Sequence, residues 1–422
     1  MATECDIAIV GAGLAGLACA LHLQEAGIDA QIFEAADAPG GRVRTDRIDS
    51  FILDRGFQVL LEAYPECRRM LDYGELNLQR FEPGALIHLN GKVERVADPL
   101  RRPRHAVESL LSGIGTLGDK LRVLKLRRRA LAGNFQSVFK RSETTALEAL
   151  RQIGFSRGMI DSFFRPYLGG IFLGRDLETS SRMMDFVVRM MAKGNTSIPA
   201  EGIESIPRQL AARLRPGTLH LNQPAKKIEP GKITFSNRHT ARARVVVVAT
   251  DGTAASALSG GAIADPGARD VTCLYFAAPR TPVEGAWLVL DGDGKGPVNN
   301  LVVASQVSPS YAPHGTHLIS ATVLGDPGVS DIALVQAVRG QMFEWYGRAA
   351  KQWEFLRIYR IRHAQPMQGP GFCARRKAAE ASAAEGVVYC GDYLETASLH
   401  GALIAGRRAA GQCRKLLSSN VI

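Results

Sequence analysis

The chain has 422 residues, 46% of them apolar and 22% charged, with a formal net charge of +11. That composition excludes a fibrous or disordered chain, and the length suffices for two or three domains with cores of their own. No run of about 18 uncharged apolar residues occurs, so a spanning helix is not expected. The seven cysteines are scattered without a CxxC pair, which fits buried thiols in a reducing compartment rather than disulfides or a zinc site. No metal site is expected. The first strand begins by residue 6, too early for a secretory leader, so the expected location is cytoplasmic.

In chain order, Ile7 to Val10 reads as a buried parallel strand that ends at Gly11, Gly13 and Gly16. A helix follows at once through Leu17, Leu21 and Leu23, and Gly27 closes it. A second short strand, Gln31 to Phe33, ends at Glu34. Each part has a physical task. Gly11 allows a sharp turn, Gly13 lets the backbone approach a pyrophosphate, and Gly16 lets helix and strand pack closely. The helix N-terminus offers free N–H groups to phosphate, and Glu34 offers acceptors to an adenosine ribose. Strand, glycines, helix, strand and acid in this order predict a Rossmann-like dinucleotide site that includes Ala15 and Ala35.

After the second strand comes APGGRVRTDRIDSFILDRGFQVL, with Gly40, Gly41 and Arg42 and then an extended stretch ending at Asp54, Gly56 and Phe57. Near the far end, GVVYCGDYLETASLHGALIAGRRAA predicts a strand over Val387 to Cys390, a stop at Gly391 and Asp392, and a helix from about Ser398. Together with the glycine motif, these blocks resemble the FAD-dependent amine oxidase superfamily, which includes phytoene and carotene desaturases and protoporphyrinogen oxidases. The resemblance spans essentially the whole chain and is closest to that desaturase and porphyrinogen oxidase branch. It implies an α/β fold: a Rossmann-like FAD-binding domain of the GR2 flavoprotein type with a discontinuous α+β substrate domain. It further implies that Gly41, Arg42, Gly56, Phe57 and Gln58 lie near the diphosphate and flavin. Gly391 and Asp392 would meet diphosphate and ribityl groups, and Leu399 would cap the flavin. Ala225, in LHLNQPAKKIE, would meet adenine through its backbone. The cofactor implied is non-covalent FAD, because the loop YLETAS offers no cysteine for a covalent link.

The expected FAD domain takes residues 1–85, 200–265 and 380–422, and the substrate domain 86–199 and 266–379. Arg244 to Asp251, with four consecutive valines, reads as a central strand. Arg101 to Lys193 reads as largely helical, Arg269 to Thr322 as strands, Asp331 to Tyr346 as an amphipathic helix, and Ile358 to Pro366 as a return strand. The block FFRPYLGGIFLGRDLETSS reads as an aromatic, glycine-rich loop in which Phe163, Phe164 and Phe172 either line an apolar cavity or fill the core.

Much of the charge lies between Arg101 and Arg141. There Val107, Leu110, Leu111, Ile114, Leu117, Leu121 and Leu124 recur at helical spacing. Such a face either packs into the protein with its arginines solvated, the favoured reading, or lies on an anionic membrane surface. No nucleic-acid module is visible, and nothing bears on oligomeric state.

No nucleophile–base constellation is evident, and a flavin supplies its own redox chemistry, so no catalytic side chain is assigned. His400, where relatives carry glutamate, either serves a proton near the flavin or points elsewhere; His363 is read the same way. Amine oxidases of the superfamily hold a lysine near the flavin and frame the amine with aromatic rings. Thr272 and Ser398 stand at the corresponding places here. The expected function is therefore an FAD-dependent oxidoreductase that removes hydride from a C–H bond of a lipophilic substrate, carotenoid-like or porphyrinogen-like. The alternatives are an amine or amino-acid oxidase with an atypical pocket, or a flavoprotein without net redox turnover, such as an isomerase.

Overall fold

The computed structural model describes residues 3–98, 101–103, 106–382 and 386–419. Two seven-stranded sheets organise it. The first contains β1 (Thr3–Val10) and β2 (Ala30–Phe33) at its centre. The hairpin β3 (Thr45–Ile48) and β4 (Phe51–Asp54) follows as a small sheet of its own, and β5 (Leu60–Leu61) and β6 (Leu78–Arg80) belong to a three-stranded one. The second large sheet opens with β7 (Gly84–Leu89) and β8 (Lys92–Ala97), so the domain boundary expected at residue 85 falls inside a strand of that sheet. Strand β9 (Thr196–Pro199) joins β5 and β6.

The chain then returns to the first sheet. The stretch Leu219–Glu229, expected as one strand, divides into β10 (Leu219–His220) and β11 (Ala225–Glu229), with Asn222 at φ +55° and Pro224 between them. Strands β12 (Lys232–Phe235) and β13 (Thr240–Val248) complete this section. Val245 to Val248 pair in parallel with Ile7 to Val10 and are nearly solvent-free, because strands covered on both faces must be apolar throughout. Strands β14 (Ala268–Ala278), β15 (Leu288–Asp291), β16 (Val298–Val303), β17 (His317–Leu324) and β18 (Glu354–Pro366) build the second sheet, in the order β18-β14-β17-β16-β15-β7-β8. Strand β19 (Val387–Tyr389) comes back beside β13.

Helix α1 (Leu14–Glu25) leaves β1 at the glycine turn and is buried along most of its length. The short α2 (Pro65–Met70) lies between β5 and β6. A helical layer holds α3 (Ala106–Leu111), α4 (Leu117–Leu131), α5 (Ala146–Ile153), α6 (Arg165–Phe172) and α7 (Ser181–Lys193). The first part of the block expected as an aromatic loop is helical, because a π turn over Ile160–Phe164 runs directly into α6, and only Leu173 to Ser180 is irregular. Gly169 sits inside α6 where a Cβ would lie 3.3 Å from the Arg175 side chain.

Helix α8 (Gly252–Leu258) follows β13, with Asp251 as its N-cap. Helix α9 (Asp331–Tyr346) covers the second sheet, and α10 (Leu399–Ser419) packs on α1. A Cβ at Gly406 of α10 would lie 2.4 Å from the Ala15 carbonyl oxygen. Only glycine allows that crossing.

The basic segment departs from the favoured reading. Gly113 and Gly115, the latter at φ +67°, separate α3 from α4 instead of allowing one continuous helix. Of the apolar series, Ile114 is buried, but Leu111, Leu117, Leu121 and Leu124 are exposed. Val107 and Leu110 have side chains outside the described residues. Nor are all the arginines solvated: Arg127 bonds Asp98, and Arg129 with Arg141 bonds the buried Asp185. These pairs clamp the inner side of α4, with the buried Leu126, to the protein and leave Leu117, Leu121 and Leu124 outward.

Candidate functional site

A cavity of about 1020 Å³ runs between the C-terminal ends of β1, β13 and β19 and the second sheet. The β1–α1 turn forms its floor. Gly11, at φ +104°, bends the chain, and a Cβ there would meet the Ala249 carbonyl oxygen at 2.8 Å. A Cβ at Gly16 would lie 2.0 Å from the Gly11 carbonyl oxygen. Gly13 is different: a Cβ there meets nothing within 4 Å and projects into open cavity. That empty approach, beside the N-terminus of α1, is the space a pyrophosphate requires.

Of the residues singled out by sequence, Gly11, Gly13, Ala15, Glu34, Ala35, Gly41, Arg42, Gly56, Phe57, Gln58, Ala225, Gly391, Asp392 and Leu399 all line this cavity. Gly16 does not; it serves the packing of α1. Glu34 is buried, and its two carboxylate oxygens accept from the Ala12 N–H (2.6 Å) and the Ala36 N–H (2.9 Å). Each oxygen keeps a further lone pair for a ribose hydroxyl.

Arg42 donates to Asp392 Oδ1 (2.7 Å) and to the Ala364 carbonyl (3.2 Å), and its own carbonyl accepts from Gln58 (2.8 Å). Burial works against the Arg42 charge, but Asp392 outweighs it and holds the guanidinium above its ordinary pKa. The GGR and GD blocks, 350 residues apart, therefore meet in one ion pair. Sequence reasoning missed Thr250, Asp251 and Ala254 at the start of α8, and Ile361, Ala364 and Gln365 of β18. The apolar strand before Asp251 was a usable signal for the first group. The return strand expected over Ile358 to Pro366 marked the second group without naming its residues.

The far half of the cavity is lined by Phe163, Phe164, Tyr167, Ile171, Phe172, Val187 and Met191, and by Val123 and Leu124 of α4. Phe164 and Phe172 are also buried, so the two readings of the aromatic block, core and cavity wall, coincide. No cysteine lines the cavity; Cys390 sits in the core beside β19 with its thiol directed at the Ala15 carbonyl.

Thr272 is fully buried and donates to the Gly325 carbonyl, so it is not the residue of β14 that faces the site. Val271 lines the cavity instead, beside Gly56. The pairing with β18 is irregular here, Arg269 opposite Gln365 and Val271 opposite Ile361, but the extra residues lie on β18, so β14 keeps its alternation and Val271 and Thr272 face opposite sides. Ser398 lines the cavity, as does Tyr64 next to it.

His400 points away from the cavity, into a cluster where it stacks on Tyr64 and Phe186. Its Nδ1 accepts from the Glu66 N–H (3.2 Å). Burial, with help from Arg407, pushes its pKa down to about 4. His363, at φ +54°, is exposed outside the cavity.

Two outcomes are expected. Gly13→Val places a branched side chain where the pyrophosphate must lie and should abolish dinucleotide retention. Glu34→Ala removes ribose acceptors and should weaken retention by about 1–3 kcal/mol. Flavin absorbance per protein after gel filtration measures both, and full occupancy in the valine variant would refute this placement of the phosphates. Separately, His400 stays neutral when folded but takes up a proton near pH 6.5 when unfolded. Its contribution is present above pH 6.5 and is lost as pH falls toward 4. His400→Phe should flatten the fall of denaturant-measured stability across that window relative to the parent protein.

Comparison with known proteins agrees with this geometry. The family described as flavin containing amine oxidoreductase matches residues 14–414. Protoporphyrinogen oxidase 2 of Arabidopsis thaliana is 27% identical over 164 residues, 39% of this chain and 32% of that protein. The zeta-carotene-forming phytoene desaturase of Myxococcus xanthus is 38% identical over 93 residues, 20% of this chain and 18% of that protein. These alignments thus span less than a third of either curated relative. Among solved structures, a putative protoporphyrinogen oxidase from Exiguobacterium sp. 255-15 matches with a TM-score of 0.77 at 18% identity, covering 99% of both chains. Putrescine oxidase bound to putrescine matches with a TM-score of 0.67 at 17% identity, covering 97% of this chain and 99% of that one. At these identities the structural matches speak for the fold alone. The glycine cradle and the family match carry the same conclusion: the chain belongs to the flavin-containing amine oxidoreductase family, and its cofactor is FAD.

Proposed function

We propose that this protein is an FAD-dependent oxidoreductase that removes hydride from a C–H bond of a lipophilic substrate, carotenoid-like or porphyrinogen-like. The observation that carries the reading is the composition of the cavity. One half is a phosphate and ribose cradle; the other is walled by Phe163, Phe164, Ile171, Phe172, Val187 and Met191. FAD supplies the electron acceptor when bound. The chain's part is to hold the substrate, exclude water and fix the reacting bond. Gly13, Glu34, Arg42, Asp392 and the N-terminus of α10 would hold the cofactor. A substrate with many methylenes would gain about 0.8 kcal/mol from each one buried in the aromatic half.

An amine fits less well. Val271, not a lysine, stands on β14 beside the site, and Ser398 occupies the position assigned to a ring. A small amine would also leave most of the apolar half unfilled, and loss of positioning alone costs on the order of 100-fold in rate.

The same reading extends to location: a cytoplasmic protein that rests on an anionic membrane. No helix among the described residues is long and apolar enough to cross a membrane. Leu111, Leu117, Leu121, Val123 and Leu124 are exposed between 37% and 78% on one short segment, with exposed Lys125 and Arg128 among them. Val123 and Leu124 also line the cavity, so the apolar surface is continuous with the apolar interior. A basic, leucine-bearing helix at a cavity mouth suits a lipid surface from which an apolar substrate would enter.

Two measurements test this. Under anaerobic mixing, simple primary amines should leave the bound flavin oxidised, whereas detergent-dispersed isoprenoids or porphyrinogens should bleach it. Rapid bleaching by a common amine would replace this reading with the amine oxidase alternative. For the membrane, Leu117→Ser, Leu121→Ser and Leu124→Ser together should abolish sedimentation with phosphatidylserine vesicles while flavin content is kept. Arg127 and Arg129 make poor probes because their ion pairs hold α4 in place. Equal sedimentation of variant and parent would remove the membrane from the proposal.

A further inference from the structure

Strand β16 carries two consecutive asparagines, Asn299 and Asn300, in a run whose other members are Val298, Leu301, Val302 and Val303. Both asparagines are almost solvent-free, 2% and 3% exposed. Consecutive residues of a regular strand point to opposite faces, yet these two side chains end together. The register explains it: Val298 pairs with Val323 and Asn300 with Thr322, so Asn299 is an extra, bulged residue. Helix α6 makes room with Gly170, where a Cβ would lie 2.9 Å from Asn300 Oδ1 and 3.3 Å from Asn299 Nδ2.

The hydrogen bonds fix which way the amides face. Asn299 Nδ2 donates to the Pro166 carbonyl (2.9 Å), which can only accept. The same nitrogen donates to Asn300 at 3.0 Å, so Asn300 must present its oxygen there. The Asn300 NH₂ is then turned away from its neighbour, with no acceptor among the described residues, while Asn300 lines the cavity. Asn299 Oδ1 is likewise buried without a partner. A glycine, a bulge and a locked amide pair cost stability in an apolar sheet unless the open donor is used.

We infer that the Asn300 amide is a specificity-determining donor that binds a neutral hydrogen-bond acceptor, a hydroxyl or carbonyl oxygen, on an otherwise lipophilic ligand. A carboxylate suits it less. Leu290 and Gly170 flank Asn300, and the guanidinium of Arg175, packed behind Gly169, is directed to the Asp291 carbonyl and carboxylate. The inference rests on the lipophilic reading of the cavity and narrows it from a pure hydrocarbon to an oxygenated lipophile.

Equilibrium dialysis of the FAD-loaded protein against cyclodextrin-buffered 1-dodecanol and dodecane tests it without turnover. The parent should prefer the alcohol, and Asn300→Leu should reduce the alcohol-to-alkane affinity ratio about fivefold to tenfold with flavin content unchanged. Gly170→Ala, which displaces the amide pair, should reduce the ratio in the same direction and carries the test if the leucine variant does not fold. An unchanged ratio in a folded variant, with both compounds bound, means that Asn300 meets only water, and it overturns this inference alone. If the parent binds neither compound, the lipophilic reading falls as well.

Discussion

Helix α1 must be packed tighter than any side chain allows, and the rest of the architecture depends on that. On its sheet side, Gly16 sits where a Cβ would be 2.0 Å from the Gly11 carbonyl oxygen. On its outer side, Gly406 of α10 leaves room for the Ala15 carbonyl and the Ala18 side chain, 2.4 Å and 2.6 Å from where its own Cβ would stand. A helix gripped from both sides cannot rotate or slide. Its N-terminus is therefore aimed at a fixed point in the cavity, where its free N–H groups and its dipole favour phosphate. The C-terminal helix is part of this grip, so the two ends of the chain are one structural unit.

The Arg42–Asp392 pair extends that unit to the mouth of the cradle. It joins the loop after β2 to the loop after β19, and the Ala364 carbonyl ties the return strand of the second sheet to the same guanidinium. A partly buried pair of this kind gives little net stability, but removing one partner leaves the other charge unpaired. Its value is geometric: it sets the spacing between the two sheets at the place where cofactor and substrate must meet. The cavity accordingly lies at the C-terminal ends of β1, β13 and β19, where open parallel sheets leave a crevice.

What the sequence disclosed follows from how locally each feature is encoded. The glycine turn, Glu34, the GGR block and the GD stop are short motifs whose spacing carries their geometry, and they were legible. The helices at Leu14–Glu25 and Asp331–Tyr346 were legible from their periodicity and punctuation. Facing was not. Thr272 and Val271 are neighbours on β14 and face opposite sides, so a displacement of one residue in reading the strand exchanges their roles. Asn300 escaped notice because a bulge one residue earlier turns it toward its neighbour. The leucines of α4 mark an apolar face by period alone, but period does not say what covers it. Arg127 and Arg129 find Asp98 and Asp185, partners 29 and 56 residues away, and those pairs decide which side of the helix faces the protein.

The two halves of the cavity pose different problems of recognition. The cofactor half works through directed contacts, a carboxylate, a guanidinium and backbone N–H groups, each with one favourable geometry. The aromatic half works through apolar burial, which is strong but without direction. A long apolar chain held only in that way is bound about equally well in several registers, and binding that does not select a register leaves the reacting C–H bond unplaced. Selecting one register needs a directed contact at a fixed distance along the chain. On the proposed reading, the free amide of Asn300 is such a contact, rigid because Pro166, Asn299 and the bulge hold it. A single hydrogen bond adds little to the affinity of a ligand that buries a dozen methylenes, but it decides which carbon stops at the flavin.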